Sequence, residues 1–253
     1  MFNTTLIDQY SSGVRYFNKI DLAKADLENT FLSRVEMKQG NFDYANLKNA
    51  DFSDANLTES TLVGAELSKA HLSGINLSKA NLSKANLTRS ILNQANLSEA
   101  CLEKACLASA VLIKANLMGA DLSGADLSTA NLTNANLKGA IYDNDTSFPI
   151  DFDPQSKEML GKFSIEDLVA QFNSLCECSA KYLGNVMTAK YFNSSRPDRS
   201  WLTQFTLDKS SRIIYQGNIT ENSTSEQLRL LQQWKISFIK SCSSIVKEFE
   251  KLI

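Results

Sequence analysis

With 253 residues, 43% of them hydrophobic and 21% charged, the chain holds enough apolar material for one large or two modest packed domains, and wholesale disorder is excluded. A formal net charge of −2 argues against nucleic acid as a partner, because phosphate binders carry a basic surplus. Five irregularly spaced cysteines make no disulfide framework, and a single histidine leaves too few groups for His-rich metal sites or most catalytic triads.

The first residues, Met1-Phe2-Asn3-Thr4-Thr5, lack a basic patch followed by an apolar run. No stretch approaches the roughly 18 apolar residues of a membrane span. The expected setting is the cytoplasm, with reduced thiols and no membrane contact. Residues 1–14 read as a helical cap: Asn3 or Thr4 suits its N-cap, Leu6, Ile7 and Tyr10 share a face, and Gly13 suits its C-terminus.

From Phe17 to Tyr142 every fifth residue is apolar, through 26 positions without a slip. The series runs Phe17, Leu22, Leu27, Leu32, Met37, Phe42, Leu47, Phe52, and then leucine from Leu57 to Leu137. Two residues before most centres sits a small residue, usually alanine; Arg15, Ile20, Val35 and Ile75 are the larger exceptions. The residue just before the centre is mostly Asn or Asp, and the two after it are mostly Ser, Thr, Lys, Gly or Glu. A helix wants a period of 3.6 and a strand a period of 2. A five-residue step on a helix rotates about 500°, or about 140° net, which would scatter the leucines around the axis. The chain must instead turn once per repeat, with two of every five side chains facing inward.

The units Ala-Asn-Leu-Ser-Lys, Ala-Asn-Leu-Ser-Glu and Ala-Asp-Leu-Ser-Gly resemble the pentapeptide-repeat family. The lead-in Leu6…Tyr10…Gly13-Val14-Arg15-Tyr16-Phe17 and the exit Thr146-Ser147-Phe148-Pro149-Ile150-Asp151-Phe152-Asp153-Pro154 resemble those of bacterial, often cyanobacterial, members. The resemblance implies a β-solenoid over residues 15–142, a right-handed quadrilateral β-helix with four repeats to a coil. Coils then stack about 4.8 Å apart and leucines pile into four columns. No Phe, Tyr or Trp occurs from Ser53 to Ile141, as a uniform narrow column requires.

Residues 143–162 read as a linker packed on the last coil, and residues 163–253 as a smaller α+β domain of a kind the sequence does not identify. Ser164-Ile165-Glu166-Asp167 has the pattern of a capping box. The helix it opens carries Ile165, Leu168, Val169, Phe172, Leu175 and Leu183 on one face and ends at Gly184. Three strand-like runs follow, Asn185–Asn193, Arg199–Leu207 and Arg212–Gln216. A second box, Ser223-Thr224-Ser225-Glu226, opens a helix with Leu228, Leu231, Trp234, Phe238, Cys242, Ile245, Phe249 and Leu252 at helical spacing. The predicted order is α-β-β-β-α.

Catalytic, cofactor and metal sites are all expected to be absent. His71 reads as a solvent-facing variant of the usual Asn. Cys176-Glu177-Cys178 reads as ordinary half-buried cysteines, because neighbouring residues diverge on a helix. Cys101 and Cys106 read as inert outward positions. If positions twenty apart share a face, the face of Leu32, Phe52, Leu72, Leu92, Leu112 and Leu132 also displays Phe31, His71, Ile91, Val111 and Ile113, interrupted by Asp51 and Asn131. That apolar patch is the candidate contact surface, for a protein partner or for self-association.

The function expected is a non-enzymatic protein-binding or scaffold role, through the β-helix surface and a C-terminal module carrying Trp201, Trp234 and Arg196-Pro197-Asp198-Arg199. The resemblance offers one alternative, a DNA mimic that modulates a type II topoisomerase. The 13 basic and 13 acidic residues between Arg15 and Ala140 cancel, which makes a poor imitation of a duplex. The other alternative is a ligand-sensing activity in the C-terminal module.

Overall fold

The computed structural model describes residues 2–198, 200–215 and 225–249. Each of the two units into which the chain divides, Met1–Lys162 and Phe163–Ile253, is built on a different principle.

In the first unit the five-residue period becomes a coil. The residue before a centre forms a parallel bridge with the residue twenty positions on, as in Tyr16↔Glu36, Asn76↔Asn96 and His71↔Ile91, up to the exit, where Asp126 pairs one residue further on. Four repeats therefore complete one turn, and four ladders of bridges run through the unit. The first starts at Tyr16, the second at Asp21, the third at Asp26 and the fourth at Phe31. After each centre the chain makes a two-residue turn, closed by a bond such as Ala85 N to Leu82 O at 3.0 Å. The second turn residue is left-handed, with φ 60° at Lys84 and 59° at Arg89. Glycine favours that region, but Lys, Arg, Asn and Glu hold it in most repeats.

The centres from Leu27 to Leu127 are fully buried, and the small residues beside them fill the remaining space. Ser60 and Ser90 replace alanine there, and each donates its buried hydroxyl to a backbone carbonyl, Ser60 to Met37 at 3.1 Å and Ser90 to Leu87 at 2.7 Å. The aromatic exceptions, Phe42 and Phe52, meet edge to face at 6.3 Å.

Helix α1, Phe2–Ser11, packs on this core through Leu6, with Ile7 and Tyr10 half-buried against it. Asn3 and Thr4 lie within its first turn instead of capping it, since the helix begins at Phe2. Gly13 is left-handed at φ 97° just beyond its end. At the exit, strand β1 (Ile141–Tyr142) pairs in parallel with β2 (Leu160–Gly161), and Ser147 bridges Asp126. Gly139 donates to Glu158 O at 2.8 Å, and Met159 enters the core. The fourth ladder is not continued beyond Asn131 among the described residues, and Leu132 and Ala135 stay half-buried.

The second unit departs from the predicted α-β-β-β-α order. Helix α2 runs Ile165–Ser194, so the run Asn185–Asn193 is helical and not a strand. Gly184 does interrupt it, with φ 75° and ψ 159°, but as a kink and not an end. The buried residues of the disputed run, Thr188 and Phe192, are four apart, while Val186 is 82% exposed. That is helical spacing, which a short run without clear alternation concealed. Residues Ser200–Gln204 form a 3-10 turn, leaving only Phe205–Leu207 as strand β3. It pairs antiparallel with β4, Ile213–Tyr215. Helix α3, Ser225–Phe249, completes the unit.

The Ser164 capping box is present: its hydroxyl accepts from Asp167 N and its own N–H donates to the Asp167 carboxylate, both at 3.0 Å. Ser223 and Thr224 lie outside the described residues, as do Arg199, Leu252 and the side chains of Ile165, Trp201, Leu228, Ile245 and Phe249. Phe172, Phe192, Trp234 and Phe238 form the centre of the core, with Trp234 edge-on to Phe172 at 5.3 Å and 4.5 Å from Phe192.

Candidate interaction surface

The coil register decides which outward side chains meet. Along the first ladder Asn76, Asn96, Asn116 and Asn136 bond amide to amide, each Nδ2 donating to the Oδ1 below at 3.1–3.2 Å. The same oxygen accepts a backbone N–H two residues on, as Asn76 does from Ser78 at 3.0 Å and Asp51 from Ser53 at 2.9 Å. This local turn explains the preference for Asn or Asp before each centre, a role that composition alone did not reveal.

The fourth ladder is different. Its bridged positions are Phe31, Asp51, His71, Ile91, Val111 and Asn131. Phe31 is 73% exposed, His71 is exposed, and Ile91, Val111 and Ile113 are half-buried. The register thus brings Phe31, His71, Ile91 and Val111 into one stack, with Ile113 two residues past Val111. Phe31, Ile91 and Val111 have no side-chain oxygen for the turn bond that Asp51 and Asn131 make. Tyr16 and Tyr44 are also prominent, at 77% and 62% exposed, but Tyr16 stands on the first ladder and Tyr44 in a left-handed turn position.

Several residues singled out from sequence are structural. Trp234 is fully buried and donates Nε1–H to Phe192 O at 3.1 Å. The Arg196 guanidinium lies 4.9 Å over the Trp234 ring and donates to Phe205 O at 2.9 Å. Burial lowers its pKa from the ordinary arginine value. Trp234 is thereby closed to a ligand, contrary to expectation, while Arg196 stays partly exposed. Cys176 and Cys178 do diverge, one buried and one exposed. Burial, and then the neighbouring Cys242, pushes the Cys176 thiol up to about 12, so it stays protonated. Cys101 and Cys106 sit half-buried beside the hydroxyls of Ser83 and Thr88 at 3.1 and 3.2 Å. Among the described residues no His, Cys, Asp and Glu cluster could hold a metal ion, and no helix is long and apolar enough to cross a membrane. A shallow depression lined by Glu177, Lys181, Asp208 and Arg212 is spanned by the Arg212–Glu177 ion pair at 3.0 Å.

The family model for pentapeptide repeats matches in 8 copies over residues 16–54, 39–78, 70–107 and 110–141. Among solved structures, the chain is similar to QnrB1, a plasmid-mediated fluoroquinolone resistance protein, with 20% identity over 63% of this chain and 84% of that one and a TM-score of 0.48. HetL, a pentapeptide repeat protein involved in heterocyst differentiation regulation in the cyanobacterium Nostoc sp. strain PCC 7120, matches with 24% identity over 61% of this chain and 90% of that one, TM-score 0.21. The pentapeptide repeat protein alr5209 from Nostoc PCC 7120 matches with 30% identity over 63% of this chain and 94% of that one, TM-score 0.17. No curated protein matches the sequence. The unbroken period of five, the bridges between residues twenty apart and the family match make this chain a member of the pentapeptide-repeat family, whose members are characteristically non-enzymatic interaction proteins.

Proposed function

We propose that this protein is a cytoplasmic, bacterial scaffold of the cyanobacterial type that holds a protein, a second copy of itself included, on the fourth ladder of its solenoid. A right-handed, four-sided coil is the geometry that fits this reading. Phe31, His71, Ile91, Val111 and Ile113 form the contact, and the 163–253 unit is a separate domain joined by residues 143–162. One observation carries the proposal: three apolar residues stand on one ladder where most repeats place an Asn or Asp that can close the turn. Each such turn bond contributes about 1 kcal/mol net, so apolar replacement is a local loss that a covered surface offsets. The cancelling charges of the repeats support this reading over mimicry of a duplex.

The test is Ile91→Lys combined with Val111→Lys, measured by light scattering on purified protein and by capture of cross-linked partners from the native cytoplasm. Loss of an oligomer or of a captured partner, with the fold intact by circular dichroism, is expected. Unchanged mass and an unchanged capture profile reject the fourth ladder as the contact.

A further inference from the structure

Residues twenty apart stack in the coil, so the sign of each stacked charge pair can be read directly. Glu28 and Lys48, Arg34 and Asp54, Glu59 and Lys79, and Lys79 and Glu99 are opposite pairs. Arg34 and Asp54 approach to 3.7 Å, Lys79 and Glu99 to 3.9 Å. Two stacked pairs are alike in sign, Lys69 with Arg89 and Lys84 with Lys104. Both are basic, and they occupy the turns on the two borders of the third ladder, at adjoining coils. Lys84 and Arg89 flank the same repeat, one on each side of Asn86-Leu87-Thr88.

All four cations are exposed, and none lies within ion-pair distance of a carboxylate among the described residues. The nearest acid on the ladder, Glu66, is already engaged. It accepts from Asn86 Nδ2 at 2.9 and 3.0 Å and from Ser68 N at 3.0 Å. Partial burial works to raise its pKa, but these bonds and Lys48 outweigh that and hold it below the usual carboxylate value. Like charges facing each other across paired strands destabilise the strands. Two such stacks of one sign border one surface of a coil whose other charged stacks are complementary; the one carboxylate in their four turns is Glu103, beside Lys104, so a cationic surplus remains that carboxylates of a partner would complement.

We propose that the third ladder, at the level of Lys84 and Arg89, docks an acidic extended segment of a partner protein. The proposal deepens the reading of the chain as a protein-binding scaffold but stands on a different ladder. A nucleic-acid occupant is disfavoured: no aromatic ring for base stacking occurs from Ser53 to Ile141, and the chain as a whole is negative. The floor between the cations, Asn86 and Thr88 beside Cys106 and Ala108, is small-residued and mixed in polarity, which suits a peptide backbone.

The experiment uses the full chain, a fluorescein-labelled polyglutamate peptide and an oligothymidylate of matched charge, read by anisotropy at low salt. Two fourfold variants remove equal charge: K69Q/K84Q/R89Q/K104Q on the third ladder, and R34Q/K38Q/K79Q/K138Q at paired cations. The first is expected to weaken peptide binding about tenfold and the second less than about twofold. The first should also raise Tm at low salt, because it relieves the two like stacks, while the second should lower it. Equal losses in both variants, no peptide binding by the unmodified chain, tighter binding of the oligothymidylate, or a Tm that falls in the first variant would each overturn the proposal. The Ile91→Lys and Val111→Lys variant keeps all four cations, so failure on the fourth ladder is distinguishable from failure here.

Discussion

The solenoid and the C-terminal unit bury apolar surface in opposite ways. In the solenoid the bridges align each buried centre with the centres one coil away, mostly leucine with leucine, and nearly all of them join residues twenty apart. Cohesion is short-ranged, and a stack of similar coils behaves as a sum of neighbouring contacts. In the C-terminal unit side chains from α2, α3 and β3 converge on one ring cluster, where Trp234 touches Phe172, Phe192 and Phe205. The contrast teaches that damage should stay local in the first unit and become global in the second.

Trp234→Ala tests the global side and carries the largest effect. Removing the ring leaves a cavity, takes from the Phe192 carbonyl its indole donor and leaves the guanidinium of Arg196 only the more distant Phe192 ring, at 5.6 Å, to stack on. A loss of about 3–5 kcal/mol is expected. Calorimetry should show the transition of the C-terminal unit falling sharply while that of the solenoid stays; a joint shift would break the comparison. Leu102→Ala tests the local side, with an expected loss of about 2–4 kcal/mol from a fully buried site. Hydrogen exchange should rise in the coils that touch Leu102 and remain slow near Leu47, whereas uniform loss of protection would contradict short-range cohesion.

Ser164→Ala removes one half of the capping box of α2, at a cost of about 1 kcal/mol to the C-terminal unit alone. Denaturant titration should lower its midpoint without moving that of the solenoid. The smallest effect concerns Asp143 at the solenoid exit. Partial burial works to raise its carboxyl, but hydrogen bonds from Gly124, Thr146 and Asp145 outweigh that and hold it below the ordinary value of 3.8. Its contribution is therefore complete above that ordinary value and fades as pH falls through the lower folded one. Asp143→Asn should flatten the acid limb of solenoid stability and leave the acid limb of the C-terminal unit unaltered.

The legibility of the two regions in sequence follows from the same contrast. A period of five is visible because one rule is applied 26 times from Phe17 to Tyr142, and the candidate stack of Phe31, His71, Ile91 and Val111 follows once coils of twenty are assumed. The like-signed stacks around Lys84 and Arg89 follow from the same assumption, whereas the hydrogen-bonding reason for Asn and Asp needs the turn geometry itself. In the C-terminal unit each position occurs once. Asn185–Asn193 carries only two deeply buried residues, Thr188 and Phe192, too few to separate helical spacing from alternation. Arg196 reads as a surface cation, since nothing local announces that Trp234 will fold under it.

The register of twenty also constrains how such a chain can change length in evolution. Inserting or deleting twenty residues adds or removes a whole turn and leaves every later ladder in line. A change of five preserves the leucine core and its backbone bonds, yet rotates everything beyond it by one ladder. The core would be indifferent to that slip, while the decoration displayed outward would be cut in two and reassembled on neighbouring sides. Surface identity, more than folding, is what favours gaining or losing repeats four at a time.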